Sequence, residues 1–231
     1  MEIDKLGEQI ILGSLLGDAG INKDKRYEGY GFADRHSLDQ VDYLLWKHKQ
    51  LPFNFKAYEK SNLCTLRKNN KVFKEYRELF YKDKKKVVTK EILDRLNPLG
   101  LAVWYMDDGN YHYRSNVVRI YTQSFELEGN QIIKEWFEKK LNINIKIKKI
   151  YSKKYQKAYF YIEISTSNAK KFINIIKDHI IKSMEYKIGL DEGRRKLAKA
   201  KLKEYSKKWW KENEEKRKQY YISWKKRNNK P

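Results

Sequence analysis

The sequence has one cysteine in 231 residues, Cys64, which excludes an internal disulfide and a cysteine-based zinc site. It has only three prolines, no apolar run long enough to cross a bilayer and no secretory signal at its N-terminus. The four histidines do not have the spacing of a metal site: His36, His48, His112 and His179. These absences predict an intracellular protein, in the cytoplasm, the nucleoid or an organelle matrix, that is neither secreted nor bound to a membrane.

Acidic residues are scarce relative to basic ones, with 30 Asp and Glu against 52 Lys and Arg and a net charge of +22. Such an excess indicates a polyanionic partner, with nucleic acid as the first candidate and an anionic membrane surface as the second. Hydrophobic residues make up 40% of the chain, which is enough to bury the core of one large domain or of two small ones.

The first of two similar helical segments is LGEQIILGSLLGDAG, at residues 6–20. Its apolar residues are spaced for a helix with one buried face, with Asp4 as a candidate N-cap and Gly20 as a candidate C-terminal stop. Gly13 and Gly17 are four residues apart and share one face, where small residues let another helix backbone approach closely.

The second helical segment is NPLGLAVWYMDDG, at residues 97–109. It begins with Asn97 followed by Pro98, which is a strong helix start because an N-cap side chain precedes proline at the first helical position. Gly109 ends it. The chain is therefore predicted to contain two copies of one structural unit.

A comparable series of strands and helices follows each segment. The clearest single strand is INIKIKKI at 143–150, where isoleucines alternate with polar and basic residues. The elements predicted after the first segment are 27–33, 39–49, 53–59, 63–67 and 72–81; those after the second are 117–123, 126–141, 143–150, 158–165 and 168–181. The predicted fold is α+β, a tandem duplication in which each half has an αββαββα order and an antiparallel sheet.

This duplication predicts four regions along the chain, which are 1–81, a linker at 82–96, 97–187 and a basic helical tail at 188–231. The tail holds 16 Lys and Arg against 6 Asp and Glu, and a 15-residue repeat relates 204–213 to 219–228. We interpret it as an auxiliary basic helix for nucleic acid; a solvated charged helix or a disordered segment is the alternative.

Two acids lie near the C-terminal ends of the two helical segments, Asp18 and Asp108. The helix dipole disfavours a carboxylate there, and two facing carboxylates repel each other further. A divalent cation between them explains the arrangement, since Mg²⁺ prefers carboxylate and water oxygens and would activate water for phosphodiester hydrolysis. Either acid alone is explained equally well as a helix-end residue.

The stretches ILGSLLGDA at 11–19 and LAVWYMDDG at 101–109 resemble the two motifs of single-chain LAGLIDADG homing endonucleases from group I introns. The resemblance covers roughly residues 5–188. It implies that the motif helices form the interface between the halves, that the sheets form a saddle over DNA, and that the active site lies under the minor groove. It also implies a monomer that cuts double-stranded DNA at a long asymmetric target during intron homing, with Mg²⁺ or Mn²⁺ as cofactor.

By this resemblance, the acid at the eighth position of each motif is both catalytic and metal-binding. These acids are Asp18 in the first motif and Asp108 in the second. Ala19 and Asp107 are further candidates for the metal site, and Asp107 is interpreted mainly as a helix-end or supporting residue. The second motif departs from the family pattern because Val103 and Asp107 stand where small residues usually pack.

The family also carries a lysine near the active site in each half. Lys187, in KSMEYKIGL, matches the second of these lysines. In KDKKKVV, at 82–88, Lys85 or Lys86 is the best match for the first, and Lys85 is taken as the catalytic candidate; a surface lysine is the alternative. A lysine beside the scissile phosphate would stabilise developing charge or polarise water.

The outward residues of the strands are predicted to contact DNA, because Arg and Lys bind phosphates and the edges of guanine. A one-residue slip would invert the face that each strand presents. Gln123, in TQSF, resembles a family segment that leads from the sheet towards the active site. The predicted nucleic-acid contacts are Arg35, Lys56, Lys60, Arg67, Arg119, Gln123, Lys146, Lys148 and Tyr161.

An alternative from another functional class is a binding protein on the same scaffold, either an RNA maturase that assists intron splicing or a DNA-binding regulator. Intron RNA would then be a further partner. The acid pair favours the nuclease, because a protein that only binds nucleic acid needs neither Asp18 nor Asp108.

Overall fold

The computed structural model describes residues 3–24, 29–153 and 156–189, together with residues 213–215, 218, 219 and 222. The chain divides into two compact units, Met1–Leu190 and Asp191–Pro231, and both halves of the predicted duplication lie in the first. The predicted helical tail with its repeat lies almost entirely outside the described residues. Within the described ranges, no helix combines the length and apolar character needed to cross a membrane.

The first half contains three helices and four strands in the predicted αββαββα order. They are α1 (Lys5–Leu16), β1 (Gly20–Asp24), β2 (Gly29–Ser37), α2 (Val41–Lys49), β3 (Lys56–Lys60), β4 (Leu63–Asn70) and α3 (Phe73–Phe80). The strands form one antiparallel sheet in the order β1-β2-β4-β3. The sequence pattern missed β1 and predicted a strand at 27–33 where β2 runs from Gly29 to Ser37.

The predicted linker is folded. It holds a short hairpin of β5 (Tyr81–Lys82) and β6 (Lys85–Lys86), followed by α4 (Lys90–Asp94). Asp83 and Lys84 form the turn, with φ angles of 49° and 67°. Positive φ at both positions is typical of a type I′ turn, which Asn-Gly or Asp-Gly would signal and Asp83 followed by Lys84 does not.

The second half repeats the order of the first. Its elements are α5 (Pro98–Asp108), β7 (Gly109–His112), β8 (Val117–Ile120), α6 (Leu127–Leu141), β9 (Ile145–Ser152), β10 (Lys157–Ile164) and α7 (Thr166–Ile176). The sheet order, β7-β8-β10-β9, matches that of the first sheet strand for strand. Short 3₁₀ turns at Lys177–His179 and Lys182–Ile188 follow. The predicted α+β duplication is confirmed.

The ends of the two motif helices follow from their capping residues. The Asp4 carboxylate accepts from the Gly7 backbone N–H at 2.7 Å, and the Asn97 side chain accepts from two backbone N–H groups at 2.9 and 3.2 Å, as predicted. The predicted stop at Gly20 is wrong. Helix α1 ends at Leu16 with Gly17 as its cap, and Gly20 already pairs with Ala33 in the sheet.

Helices α1 and α5 run parallel and pack against each other as the central seam of the unit. A Cβ added to Gly13 would lie 2.7 Å from the Val103 Cβ, and one added to Gly17 would lie 2.6 Å from an Asp107 carboxylate oxygen. Gly13 and Gly17 therefore each receive a larger side chain of α5. This small-to-large complementarity explains why the second motif carries Val103 and Asp107 where small residues usually pack.

Candidate active site

The two predicted acids stand at the same end of the parallel motif helices. Asp108 is the last residue of α5 and is half-buried, whereas Asp18 follows α1 and has 41% of its side chain exposed. Burial, then repulsion from Asp18 and Asp107, raises the pKa of Asp108 to about 8. Burial and then Asp107 also raise the pKa of Asp18. The Asp18 carboxylate therefore disfavours the ionisation of Asp108.

A lysine binds the end of each motif helix; Lys187 is buried and Lys86 is half-buried. Lys187 Nζ donates to the carbonyl oxygens of Met106 and Asp107 at 2.5 and 2.9 Å. Lys86 Nζ donates to the carbonyl oxygens of Gly17 and Ala19 at 3.0 and 2.8 Å. Burial lowers the pKa of both lysines. The two ammonium groups thus occupy equivalent places in the two halves.

The preference for Lys85 in the first half is corrected by the hairpin. Neighbouring residues of a strand point to opposite faces, so only one of Lys85 and Lys86 can reach the end of α1. Lys86 reaches it. The Lys85 side chain is 78% exposed and its Nζ lies 3.7 Å from a carboxylate oxygen of Glu126. The sequence could not make this choice, because the register of β5 and β6 depends on an unrecognised turn.

Asp107 has a fully buried carboxylate that is occupied by hydrogen bonds. One oxygen accepts from the Tyr43 hydroxyl at 2.7 Å and from Lys47 Nζ at 3.0 Å, both on α2. The other oxygen accepts from the Asp18 backbone N–H at 3.2 Å. These bonds fit the supporting role favoured for Asp107, because they fix the backbone of Asp18 and link the two halves. Ala19 is also buried, and its carbonyl oxygen accepts from Lys86.

A buried polar cluster extends from Asp107 under the first sheet. Lys47 Nζ lies 2.7 Å from an Asp34 carboxylate oxygen and 3.0 Å from His36 Nε2, and His48 Nε2 lies 3.4 Å from Asp34. Burial would raise the pKa of Asp34, but the Lys47 ammonium and the two histidines hold it well below its usual range. Burial would lower the pKa of Lys47, but Asp107 and Asp34 raise it. The cluster therefore holds opposite charges that compensate one another.

His36 connects this cluster to Asp18. Its Nδ1 lies 3.6 Å from an Asp18 carboxylate oxygen and 3.3 Å from the Gln40 side-chain oxygen. Burial would lower the pKa of His36, but the hydrogen bond with Asp34 and the charges of Asp107 and Asp34 together outweigh burial, so the pKa is raised. Ligand atoms of Asp18, His36 and Asp107 lie within 4.8 Å of one another, so they could together hold a metal ion. The spacing of the histidines in the sequence gave no sign of this.

The second half has no such cluster at the equivalent strand positions. Gly20 pairs with Ala33 and Asn110 pairs with Arg119, so Asp34 corresponds to Ile120 and His36 to Thr122. Ile120 is fully buried, and the Thr122 hydroxyl bonds the side-chain oxygen of Asn130. Ionic groups in the first half are thus replaced by an apolar side chain and a neutral hydrogen bond in the second.

The strand residues predicted to contact DNA share the face of their sheet that lies opposite the core. In the first sheet, Phe32 and Leu66 face inwards, and in the second, Val118 and Ile162 do so. The outward residues are Arg35, Lys56, Lys60, Arg67, Arg119, Lys146, Lys148 and Tyr161. Gln123 lies beyond the end of β8, is exposed, and lines a cavity of about 530 Å³ together with Lys86.

Sequence reasoning missed four functional candidates: Asp34, His36, Tyr43 and Lys47. Each is an ordinary polar residue in a chain rich in such residues, and they converge only when α2 packs against β2 on the inner face of the first sheet. Asp34 and His36 occupy inward positions of β2, where a charged residue between apolar neighbours is unusual. That alternation was the one available signal.

The family model for the LAGLIDADG DNA endonuclease family matches residues 8–172. The chain belongs to this family. An intron-encoded DNA endonuclease 3 (described as probable) of Mycosarcoma maydis is 32% identical over 125 residues, which are 52% of this chain and 88% of that protein. Protein RecA of Mycolicibacterium flavescens is 29% identical over 78% of this chain, and the chain spans only 45% of its length. Cytochrome b mRNA maturase bI2 of Debaryomyces hansenii is 28% identical, covering 81% of this chain and 75% of the maturase.

Solved structures of homing endonucleases share the fold. The chain is similar to the homing endonuclease I-WcaI bound to its DNA recognition sequence, with a TM-score of 0.66 and 23% identity over 81% of this chain and 88% of that one. It is also similar to I-DmoI in complex with DNA and Mn, with a TM-score of 0.51 and 14% identity over 77% of this chain and 100% of that one.

Proposed function

We propose that this chain is a site-specific endonuclease that hydrolyses both strands of double-stranded DNA. The observation that carries the proposal is the pair of carboxylates, Asp18 and Asp108, at adjoining ends of the parallel motif helices, where a lysine binds each helix end. A protein that only binds DNA has no use for two carboxylates there, since they repel phosphate. Family membership and the basic outer faces of both sheets support the same function.

A divalent cation, Mg²⁺ or Mn²⁺, fits the acid pair. Burial, then Asp18 and Asp107, raise the pKa of Asp108 to about 8, and Lys86 and Lys187 offset only part of the rise, so a bound cation would favour the ionised carboxylate. Carboxylate oxygens are the ligands that both ions prefer. Asp18 and Asp108 would hold the ion, while the buried carboxylate of Asp107 orients the backbone of Asp18. When bound, the ion would stabilise charge on the phosphate oxygens and lower the pKa of a water molecule.

Lys86 and Lys187 would stabilise the negative charge that develops on the scissile phosphates. Their ammonium groups bind neutral carbonyl oxygens at the helix ends, so hydrogen bonds fix them in place without a carboxylate neutralising them at close range. A preorganised cation of this kind costs no rearrangement when charge develops in the transition state.

The two sheets would bind the two halves of one long target. Their outward residues differ between the halves, which implies an asymmetric sequence. Because one chain carries both acids, we propose that it acts as a monomer and that its cuts fall across the minor groove between the sheets. The mass of the protein–DNA complex by light scattering checks the first point, and the stagger of the cut ends checks the second.

The experiment incubates the full chain with a plasmid library, with Mg²⁺, with Mn²⁺ and with chelator, and sequences the resulting ends. We expect staggered ends at one long sequence with either metal and none with chelator. The control variant is Asp178→Asn, which removes an exposed carboxylate from the 3₁₀ turn at Lys177–His179. Absence of cuts at every sequence with both metals would contradict the proposal.

A maturase is the second candidate, because a cytochrome b mRNA maturase is similar over 81% of this chain. Intron RNA would then be the partner, bound by the basic surface. Splicing assays with Asp18→Asn distinguish the two, since RNA binding does not require the acids. Splicing that persists in this variant while the wild-type chain cuts no DNA would favour the maturase.

A further inference from the structure

The outer face of the second sheet carries one row of polar side chains across all four strands. Asn110 on β7 pairs with Arg119 on β8, Arg119 pairs with Glu163 on β10, and Glu163 pairs with Lys146 on β9. The residues on either side of Arg119 and Glu163, such as Val118 and Ile162, face the core. The row therefore belongs wholly to the surface that the proposed function assigns to DNA.

Arg119 is held in one orientation within this row. Its Nε donates to a Glu163 carboxylate oxygen at 3.0 Å, and its guanidinium lies 5.8 Å from the centre of the Tyr161 ring. The Arg119 side chain is 27% exposed and that of Glu163 is 16% exposed. Because the bond uses Nε, both terminal amino groups of the guanidinium can donate as a pair. An arginine fixed in this way loses less side-chain entropy when it binds.

Glu163 decides what kind of contact this part of the surface makes. Its other carboxylate oxygen lies 3.7 Å from Lys148 Nζ, so one acid stands between two basic residues. A carboxylate here would repel a DNA phosphate placed beside it. It is compatible with the edges of base pairs, because the amino group of cytosine can donate to it. The centre of the outer face therefore suits the edges of base pairs and not the DNA backbone.

We infer that Arg119 donates two hydrogen bonds to O6 and N7 of a guanine in the major groove, and that Glu163 is the positioning residue that fixes it. The pair would specify one G·C base pair in the half-site bound by the second sheet. This inference rests on the proposed function and names one determinant of its substrate. A bidentate contact of this kind discriminates between bases by roughly 10- to 100-fold.

The first sheet does not repeat this arrangement. At the positions of Arg119 and Glu163 it has Ala33 and Arg67, with Lys56 in place of Lys146. A basic residue, Arg67, therefore stands at the paired position that Glu163 holds in the second sheet. The guanine preference should therefore belong to one half-site only, and it would contribute to the asymmetry of the target.

The test selects bound duplexes from a randomised pool with the full chain and then measures affinity for all four bases at each position of the selected site. The variants are Arg119→Ala, Arg119→Lys and Glu163→Gln. Lys146→Ala removes a charge from the same row, and Lys139→Ala removes one from the exposed side of α6. Arg119→Lys keeps the charge and guards against a misfolded alanine variant.

Wild type should prefer guanine at one position of one half-site. Arg119→Ala should lower that preference by about 10- to 100-fold, Arg119→Lys should lower it while retaining most of the affinity, and Glu163→Gln should lower it less. Lys146→Ala should weaken binding equally for all four bases, and Lys139→Ala should change nothing.

The inference is overturned if Arg119→Ala leaves the preference unchanged at every position, or if it weakens binding equally for all four bases, which would mark a phosphate contact. If wild type selects a sequence and cuts it in either of these cases, only the inference fails. If wild type selects no sequence and cuts none, the proposed function fails as well.

Discussion

The two halves share strand order and register but are built differently beneath their sheets. In the first half, Asp34 and His36 point inwards and join Lys47 in a buried ionic cluster. In the second half, Ile120 and Thr122 hold the equivalent positions. The alternation of inward and outward residues is enough to form either sheet, so the ionic residues are not needed for the fold.

A buried ion pair is a weak source of stability, since apolar residues of similar volume often serve as well or better. The first half nevertheless keeps Asp34, His36 and Lys47 in its interior, next to the acid with the more exposed carboxylate. The cluster reaches Asp18 through Asp107 and through His36. The comparison therefore indicates that the first half uses part of its interior to orient its acid, whereas Asp108 is the last residue of a rigid helix.

The largest expected effect is the change in the free energy of unfolding with pH that Asp108 causes in the metal-free protein. A carboxyl group whose pKa is raised by folding contributes stability below its ordinary pKa, and that stability is lost as the pH rises through the folded value. At ~1.4 kcal/mol per pKa unit, the rise from 3.8 to about 8 corresponds to at most about 6 kcal/mol lost between those pH values. Denaturant unfolding with chelator measures it.

In Asp108→Asn the loss with rising pH should disappear, and in Asp18→Asn most of it should remain, because burial is the first cause of the shift. Added Mg²⁺ should restore stability at pH 8 in the wild type. A flat pH profile for the metal-free wild type would contradict the burial of Asp108 beside its neighbours.

Lys47→Met tests the ionic cluster itself. Removing this ammonium leaves Asp34 and Asp107 buried without their main compensating charge, so we expect a loss of about 3–5 kcal/mol in the free energy of unfolding. The matched variant Lys49→Met, at the exposed end of the same helix, should stay within about 0.5 kcal/mol of wild type. Equal stability of the two variants would show that the cluster is not ionic.

Lys86→Met tests the equivalence of the two helix-end lysines. We expect the cleavage rate to fall by about 10²- to 10³-fold, as is typical when one preorganised donor to a transition state is removed. Lys187→Met should have a similar effect. The neighbouring variant Lys85→Met should cut at nearly the wild-type rate, and the assignment fails if Lys85→Met is the slower enzyme.

Thr122→Val should have the smallest effect, and it measures how much the neutral hydrogen bond of the second half contributes to stability. The change removes one neutral hydrogen bond to Asn130, which keeps its bonds to the carbonyl oxygens of Phe125 and Glu126. We expect a loss of about 1 kcal/mol in the free energy of unfolding. A loss as large as that of Lys47→Met would remove the contrast between the halves.

Much of the fold could be predicted because its strongest elements carry local signals. Asn97 with Pro98 marks the start of α5, and the alternating isoleucines of 143–150 mark β9. The motif acids were predictable because the two similar segments repeat. Strands β1 and β7 were missed, since each is short and follows its motif helix almost directly.

The rest of the site depends on contacts between distant residues. Lys47 meets Asp107 across 60 positions of the chain, and Lys86 meets Gly17 across 69. Nothing local in a sequence rich in lysine distinguishes these two from their neighbours. The choice between Lys85 and Lys86 depended on a single residue of hairpin register, which only the turn at Asp83 and Lys84 sets.

Cleavage of each strand of the selected target by Asp18→Asn, Asp108→Asn and Asp107→Asn tests the account most directly. The acid pair predicts that Asp18→Asn and Asp108→Asn each abolish double-strand cutting while DNA binding remains. Asp107→Asn should still cut, more slowly, because an amide can still accept the Asp18 backbone N–H. Cutting that survives Asp108→Asn but is lost in Asp107→Asn would contradict the assignment of the second acid.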